Sequence, residues 1–116
     1  MTGVAECEAA LARASDRIAQ VDEARRRKYI HERSIRITVP DIDTVFDMRL
    51  TLEGLEDVTA RAAGTPARPA QVGITVSSAD LIDLADDRMD FAKALFSGRV
   101  KVNAPISDML RLRKLL

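Results

Sequence analysis

The chain holds one cysteine, one histidine, one tyrosine, three phenylalanines and no tryptophan, and its 18 basic residues are balanced by 18 acidic ones. Each shortage removes a class of function. A lone Cys7 makes no internal disulfide, and with no basic or histidine neighbour in sequence to favour its thiolate it reads as a small core residue. His31, inside RRRKYIHER, has no partners from which a catalytic triad could be assembled, and its expected place is in solvent or at a helix end. No His, Cys and carboxylate set stands at metal-ligand spacing, and Asp83, Asp86, Asp87 and Asp90 lack the glycine and terminal glutamate of a calcium loop. Isolated glycines make no phosphate loop. Zero formal charge argues against neutralising a nucleic-acid backbone. No apolar run approaches the roughly 20 residues that cross a bilayer, and MTGVAECEAA lacks the order of a signal peptide. These absences lead to the expectation of a non-enzymatic protein of the reducing cytoplasm, with no metal, no cofactor and no nucleic acid.

At 116 residues the chain is expected to form one domain, residues 1–116, large enough to hold its own core. Its charge is segregated. Residues 25–36 carry Arg25, Arg26, Arg27, Lys28, Arg33 and Arg36 against Glu32 alone, and 99–116 are basic again. Such a segment has two readings: a solvated helix end, where the dipole favours cations, or a docking surface for a membrane or an acidic protein.

Val4, Cys7, Leu11, Ala14, Ile18 and Val21 recur at spacings of three and four, predicting one helix from about Thr2 to Lys28 that packs along a narrow stripe. Self-association through that stripe is a weaker reading, since Ala and Cys make a poor coiled-coil seam. The period then changes to two. Ile35, Ile37 and Val39 alternate with polar residues up to Pro40, and Phe46, Met48, Leu50 and Leu52 share one face of a second strand. Glu53-Gly54 turns into a third segment, 55–60, whose alternation is poor. AAGTPARPA, with two prolines and no large apolar residue, is expected to be a mobile loop. Val72, Ile74 and Val76 form the next strand, and SSAD leads it into a capped helix bearing Leu81, Ile82, Leu84 and Ala85. Asp90 caps a short helix in which Phe91 pairs with Leu95 and Ala92 with Phe96. Gly98 then takes the left-handed turn into the strand Val100 to Val102. Pro105 opens a terminal helix on whose wheel Ile106, Met109, Leu110, Leu112 and Leu116 make a broad apolar arc. Arg113 falls within that arc, to meet either a ligand carboxylate or, by snorkelling, water.

Strand, capped helix, MDFAKALFSG, RVKV and a leucine-rich terminal helix together resemble the sterol carrier protein domain, the nonspecific lipid-transfer family. The match runs through residues 71–116; FDMRL and the strand order extend it to 34–60, and 1–33 correspond to a leading helix. The chain departs from the family pattern at Ser97, Asp87 and Ala104. The resemblance implies an α+β fold: a five-stranded, mostly antiparallel sheet with an N-terminal helix and three short C-terminal-half helices covering one face. It also implies an apolar tunnel between sheet and helices for a fatty acid, fatty acyl-coenzyme A or sterol. Carried onto this sequence, the lipid-binding residues are Phe46, Met48, Leu50 and Ile74 on the sheet, and Phe91, Leu95, Phe96, Val100 and Val102 around the helix-to-strand motif. Met109, Leu110 and Leu112 complete them on the closing helix. The rival expectation is the same fold with a filled core, serving as an accessory or oligomerisation module, for example as a homodimer, because apolar pattern reports burial and not vacancy.

Overall fold

A computed structural model describes residues 3–65, 67–105 and 107. Helix α1 (Val4–Gln20) buries Cys7, Leu11 and Ile18 of the expected stripe and, beside it, Ala10, while Val4, Ala14 and Val21 are half-buried. The single long helix is not what forms. Val21 turns to extended backbone with ψ 141, and Asp22 caps a separate helix α2 (Glu23–Tyr29) by accepting a hydrogen bond from the Arg25 amide at 3.3 Å. A short polar side chain that satisfies an orphan amide competes with helix continuation. Arg26 then fixes the break, donating to the Val21 carbonyl at 2.8 Å and to the Leu52 carbonyl at 2.6 Å. Part of the basic cluster is therefore structural.

The sheet comprises β1 (Arg33–Val39), β2 (Thr44–Thr51), β3 (Gly54–Ala62), β4 (Val72–Val76) and β5 (Val100–Asn103), in the order β3-β2-β1-β4-β5. Only β1 and β4 run parallel; the other three pairings are antiparallel. Registers align Ala60, Phe46, Ile37, Ile74 and Val102 in one row across all five strands, on the face that the helices cover. The opposite face carries the row Thr59, Asp47, Arg36, Gly73 and Asn103. The poor alternation of β3 has a local cause. A bulge opposite Met48, with Asp57 at φ 55, inserts a residue, so Leu55 lies on the helix-side row while Ala60, an odd number of positions on, rejoins that face.

Helix α3 (Ser78–Ala85) starts as its sequence predicts, with the Ser77 hydroxyl accepting from the Asp80 amide at 3.2 Å. Asp41 adds a second clamp, accepting from the Ser78 amide at 2.8 Å and from its hydroxyl. Asp90 caps α4 (Phe91–Phe96) through the Lys93 amide at 3.0 Å, and Gly98 follows at φ 79. The terminal helix expected from Pro105 onward lies outside the described residues apart from Pro105 and Ser107. The proline-rich loop, expected to be mobile, is tied to the sheet: Arg61 donates to the Thr65 carbonyl at 2.7 Å and Arg36 to the Arg68 carbonyl.

Three carboxylates brace these elements in their charged form. Hydrogen bonds from Ser78 hold Asp41 below the usual aspartate value, and Arg13 does the same for Asp86 across the α1–α3 gap at 2.7 Å. Burial alone would raise Asp47, but Arg61 at 2.6 Å and Arg36 at 2.9 Å outweigh it and the carboxyl is lowered. A carboxyl with a depressed folded-state pKa contributes stability that is fully present above its unfolded value and lost as pH falls through the folded one. Denaturant midpoints are therefore expected to hold steady from neutral pH down to the ordinary aspartate value of 3.8 and to fall below it. Asp47→Asn should lower the neutral-pH stability by about 1–3 kcal/mol, as for a hydrogen bond to a charged group, and make that acid slope shallower.

Candidate functional site

The helix-side sheet row is buried in its middle and more open toward β4 and β5. Phe46 is fully buried and Ile37 6% exposed, whereas Ile74 in the same row is only half-buried. Between that part of the sheet and helices α1, α3 and α4 lies a cavity of about 120 Å³. Ile35, Met48, Leu50 and Ile74 supply its sheet wall, Leu11, Ala14 and Ile18 of α1 and Leu81 and Leu84 of α3 its roof, and Phe91 its α4 end. Each comes from a period already fixed by packing: alternate strand residues and the inward stripes of amphipathic helices. Arg17 is the one charged residue lining the cavity among the described residues.

A second hollow, of about 270 Å³, shares Arg17, Leu84 and Phe91 with the first and adds Asp87, Met89, Asp90 and Ala92. Arg17 donates to the Ala85 carbonyl and stands 3.7 Å from the Asp87 carboxylate. The apolar space thus meets a mouth that offers both donors and acceptors.

Of the residues expected to bind lipid, the structure brings Met48, Leu50, Ile74 and Phe91 to this cavity. Phe46 and Val100 are buried in the closed core, Val102 packs against it without lining the space, and Leu95 is half-buried on α4 and does not line it either. Phe96 requires correction: it is 94% exposed. Ala94 is the buried residue of α4 and sets its inward direction. Phe91 and Leu95 lie within roughly 100° of it on the wheel, whereas Phe96 stands about 160° away, on the opposite side. Two i,i+4 pairs on so short a helix cannot both face the sheet. Met109, Leu110 and Leu112 lie outside the described residues. Leu11, Ile18, Leu55, Leu81 and Leu84 line the cavity without having been assigned to it, although the same periodicity marked most of them as packed.

No catalytic constellation accompanies the cavity among the described residues. His31 is exposed, no group of three potential metal ligands forms, and Cys7 is buried with its thiol pKa pushed up by burial and then by Asp41 and Glu6. No helix among the described residues is long and apolar enough to cross a membrane.

A layer of helices over one face of a mixed five-stranded sheet, enclosing an apolar space with a polar mouth, is the architecture of a lipid carrier domain. Residues 11–116 match the SCP-2 sterol transfer family, and the chain belongs to that family. Its members are in general non-enzymatic lipid-binding and lipid-transfer proteins. The fold is shared with sterol carrier protein 2 like 2 from Aedes aegypti, with a TM-score of 0.64 at 16% identity over 97% of each chain. Palmitated SCP2L2 from the same species gives 0.61 at 19% identity, covering 93% of this chain and 91% of that one. UbiJ-SCP2, a ubiquinone synthesis protein, gives 0.60 at 15% identity over 90% and 83%. No curated protein sequence matches the chain.

Proposed function

We propose that the chain is a non-enzymatic cytoplasmic carrier of a single-chain lipid, a fatty acid or its acyl derivative, whose apolar tail enters the space between sheet and helices. The observation that carries this reading is the apolar cavity with Ile74, Leu84 and Phe91 left half-buried around it. The palmitated relative supports the ligand class. Burying about 0.8 kcal/mol per methylene suffices for micromolar binding once the entropy of association is subtracted. The head group belongs at the mouth, where Arg17 faces Asp87 and Asp90. Transient docking on an anionic membrane or an acidic protein falls to the exposed part of the 25–36 segment.

One observation favours the alternative, an accessory module with a filled core: about 120 Å³ is below the 300 Å³ or more typical of pockets that enclose a whole ligand. A dimer through the α1 stripe does not follow from it, because Cys7, Ala10, Leu11 and Ile18 are already buried in their own chain. Native mass spectrometry of the purified protein, then titration with a fluorescent long-chain fatty acid, separates the two. The carrier is expected to show co-purified lipid or saturable binding at one per chain. A protein that is empty and ignores the probe favours the accessory reading.

A further inference from the structure

The face of the sheet turned away from helices α1, α3 and α4 carries a groove of its own. Opposite the lipid cavity, β1, β4 and β5 form the floor of a groove of about 420 Å³, with Pro69 and Ala70 on one rim. Two cross-strand rows build it. In the first, Gly73 stands between Arg36 and Asn103; in the second, Thr75 stands between Thr38 and Lys101. The absent side chain at Gly73 leaves a depression between two polar neighbours, and the outward pleat of the adjacent row aims two hydroxyls and an ammonium group over it.

The polar groups there are not consumed by the fold. Arg36 uses Nε on Asp47 at 2.9 Å and Nη2 on the Arg68 carbonyl, which holds its guanidinium in place and leaves Nη1 without a hydrogen-bond partner among the described residues. The side chains of Thr38, Thr75, Lys101 and Asn103 make no hydrogen bond or ion pair among the described residues. Around the groove, among the described residues, one carboxylate, Asp47, is set against Arg36, Arg61 and Lys101, so the local charge is positive. A planar guanidinium, an ammonium, two hydroxyls and an amide converging on a glycine-floored hollow match a tetrahedral oxyanion with several acceptor oxygens.

We infer that this groove binds a small phosphate-bearing compound, independently of the lipid cavity on the other face. The test uses the full-length chain, with amide NMR shifts followed during titration with inorganic phosphate and with glycerol 3-phosphate at low salt, and vesicles of phosphatidylglycerol as a separate arm. Saturable shifts at Gly73, Thr75, Lys101 and Asn103 are expected, unaffected by a fatty acid in the cavity. Lys101→Gln tests charge and should weaken binding about tenfold, as for loss of a charge-assisted contact. Gly73→Val tests shape. A Cβ at Gly73 meets Asn103 Cβ at 3.6 Å and the Asn103 carbonyl oxygen at 3.8 Å, both ordinary contact distances, so the strand accepts the larger residue while the groove floor is filled. It should abolish saturation with the thermal midpoint retained. Non-saturating shifts, undiminished binding by Gly73→Val, or a response to vesicles alone would each overturn the assignment.

Discussion

Phe91→Asp is expected to abolish fatty-acid binding while leaving the protein folded. Phe91 lines both the apolar cavity and the hollow at its mouth and is half-buried. It is also the first residue of α4, directly after the Asp90 cap, where a carboxylate is favoured by the helix dipole. The substitution therefore places a charge on the wall of an apolar space at little cost to the helix that bears it. An acyl chain passing that wall loses its contacts with the ring and must approach an ion that has given up part of its hydration. Together these amount to about 3 kcal/mol, or roughly 100-fold in affinity. Phe96→Ser provides the contrast. It removes the neighbouring phenylalanine of the same helix, but one that is 94% exposed and outside the cavity lining, so affinity should stay within about twofold, as for other surface changes. Fluorescence titration of the two variants, with circular dichroism as the folding control, decides the matter. Equal losses in both would remove the ligand from this cavity.

The opposite fates of these two rings show what sequence patterning can and cannot carry. Ile35, Ile37 and Val39, or Val72, Ile74 and Val76, announce their strands because a period of two with one covered face leaves a single solution. The serine and aspartate caps of α3 and α4 are equally explicit, since the residue that satisfies an orphan amide sits at a fixed offset from it. Where two regular elements meet, the pattern gives way. Asp22 stops α1 with the same chemistry that starts α3, yet it follows an unbroken apolar stripe and precedes a charged stretch that would suit a solvated continuation. In β3 the bulge at Asp57 reverses the phase of alternation, so a segment paired with β2 on both sides of that bulge reads as irregular. The candidate site falls between these cases. Met48, Leu50, Ile74 and Phe91 were legible as inward-facing, and so were Leu11, Ile18 and Leu81; which of them touch an empty volume depends on how three helices rest on the sheet. That is a property of packing, to which a hydrophobic period is blind. The outer-face groove was invisible for a different reason: its residues are far apart in sequence, and only the parallel β1–β4 register brings Arg36 beside Gly73.

The largest loss of stability is expected at Gly54, the first residue of β3. Its φ of 127 lies in a region that residues with a side chain rarely adopt. A Cβ there would also stand 2.5 Å from Ser15 Oγ and 2.9 Å from the Ser15 carbonyl oxygen. Ser15 cannot retreat freely. Its hydroxyl accepts from the Leu55 amide at 2.9 Å and donates to the Leu55 carbonyl at 3.2 Å, pinning α1 to the strand. Gly54→Ala must therefore either strain the turn or lift α1, breaking both hydrogen bonds. Conformational strain and the lost contacts together predict a destabilisation of about 2–4 kcal/mol, seen as a lower midpoint in thermal and urea denaturation. A cycle with Ser15→Ala divides the effect. Removing the hydroxyl relieves the nearer clash but leaves the backbone oxygen and the positive φ, so the double variant should remain well below Ser15→Ala alone. Because Leu11, Ala14 and Ile18 of α1 roof the cavity, a lifted α1 also changes its shape, and Gly54→Ala should weaken fatty-acid binding even at temperatures where it stays folded. A variant that melts with the parent chain would mean that the turn relaxes without moving α1, and the close approach of Gly54 to Ser15 would then have no part in holding the roof over the site.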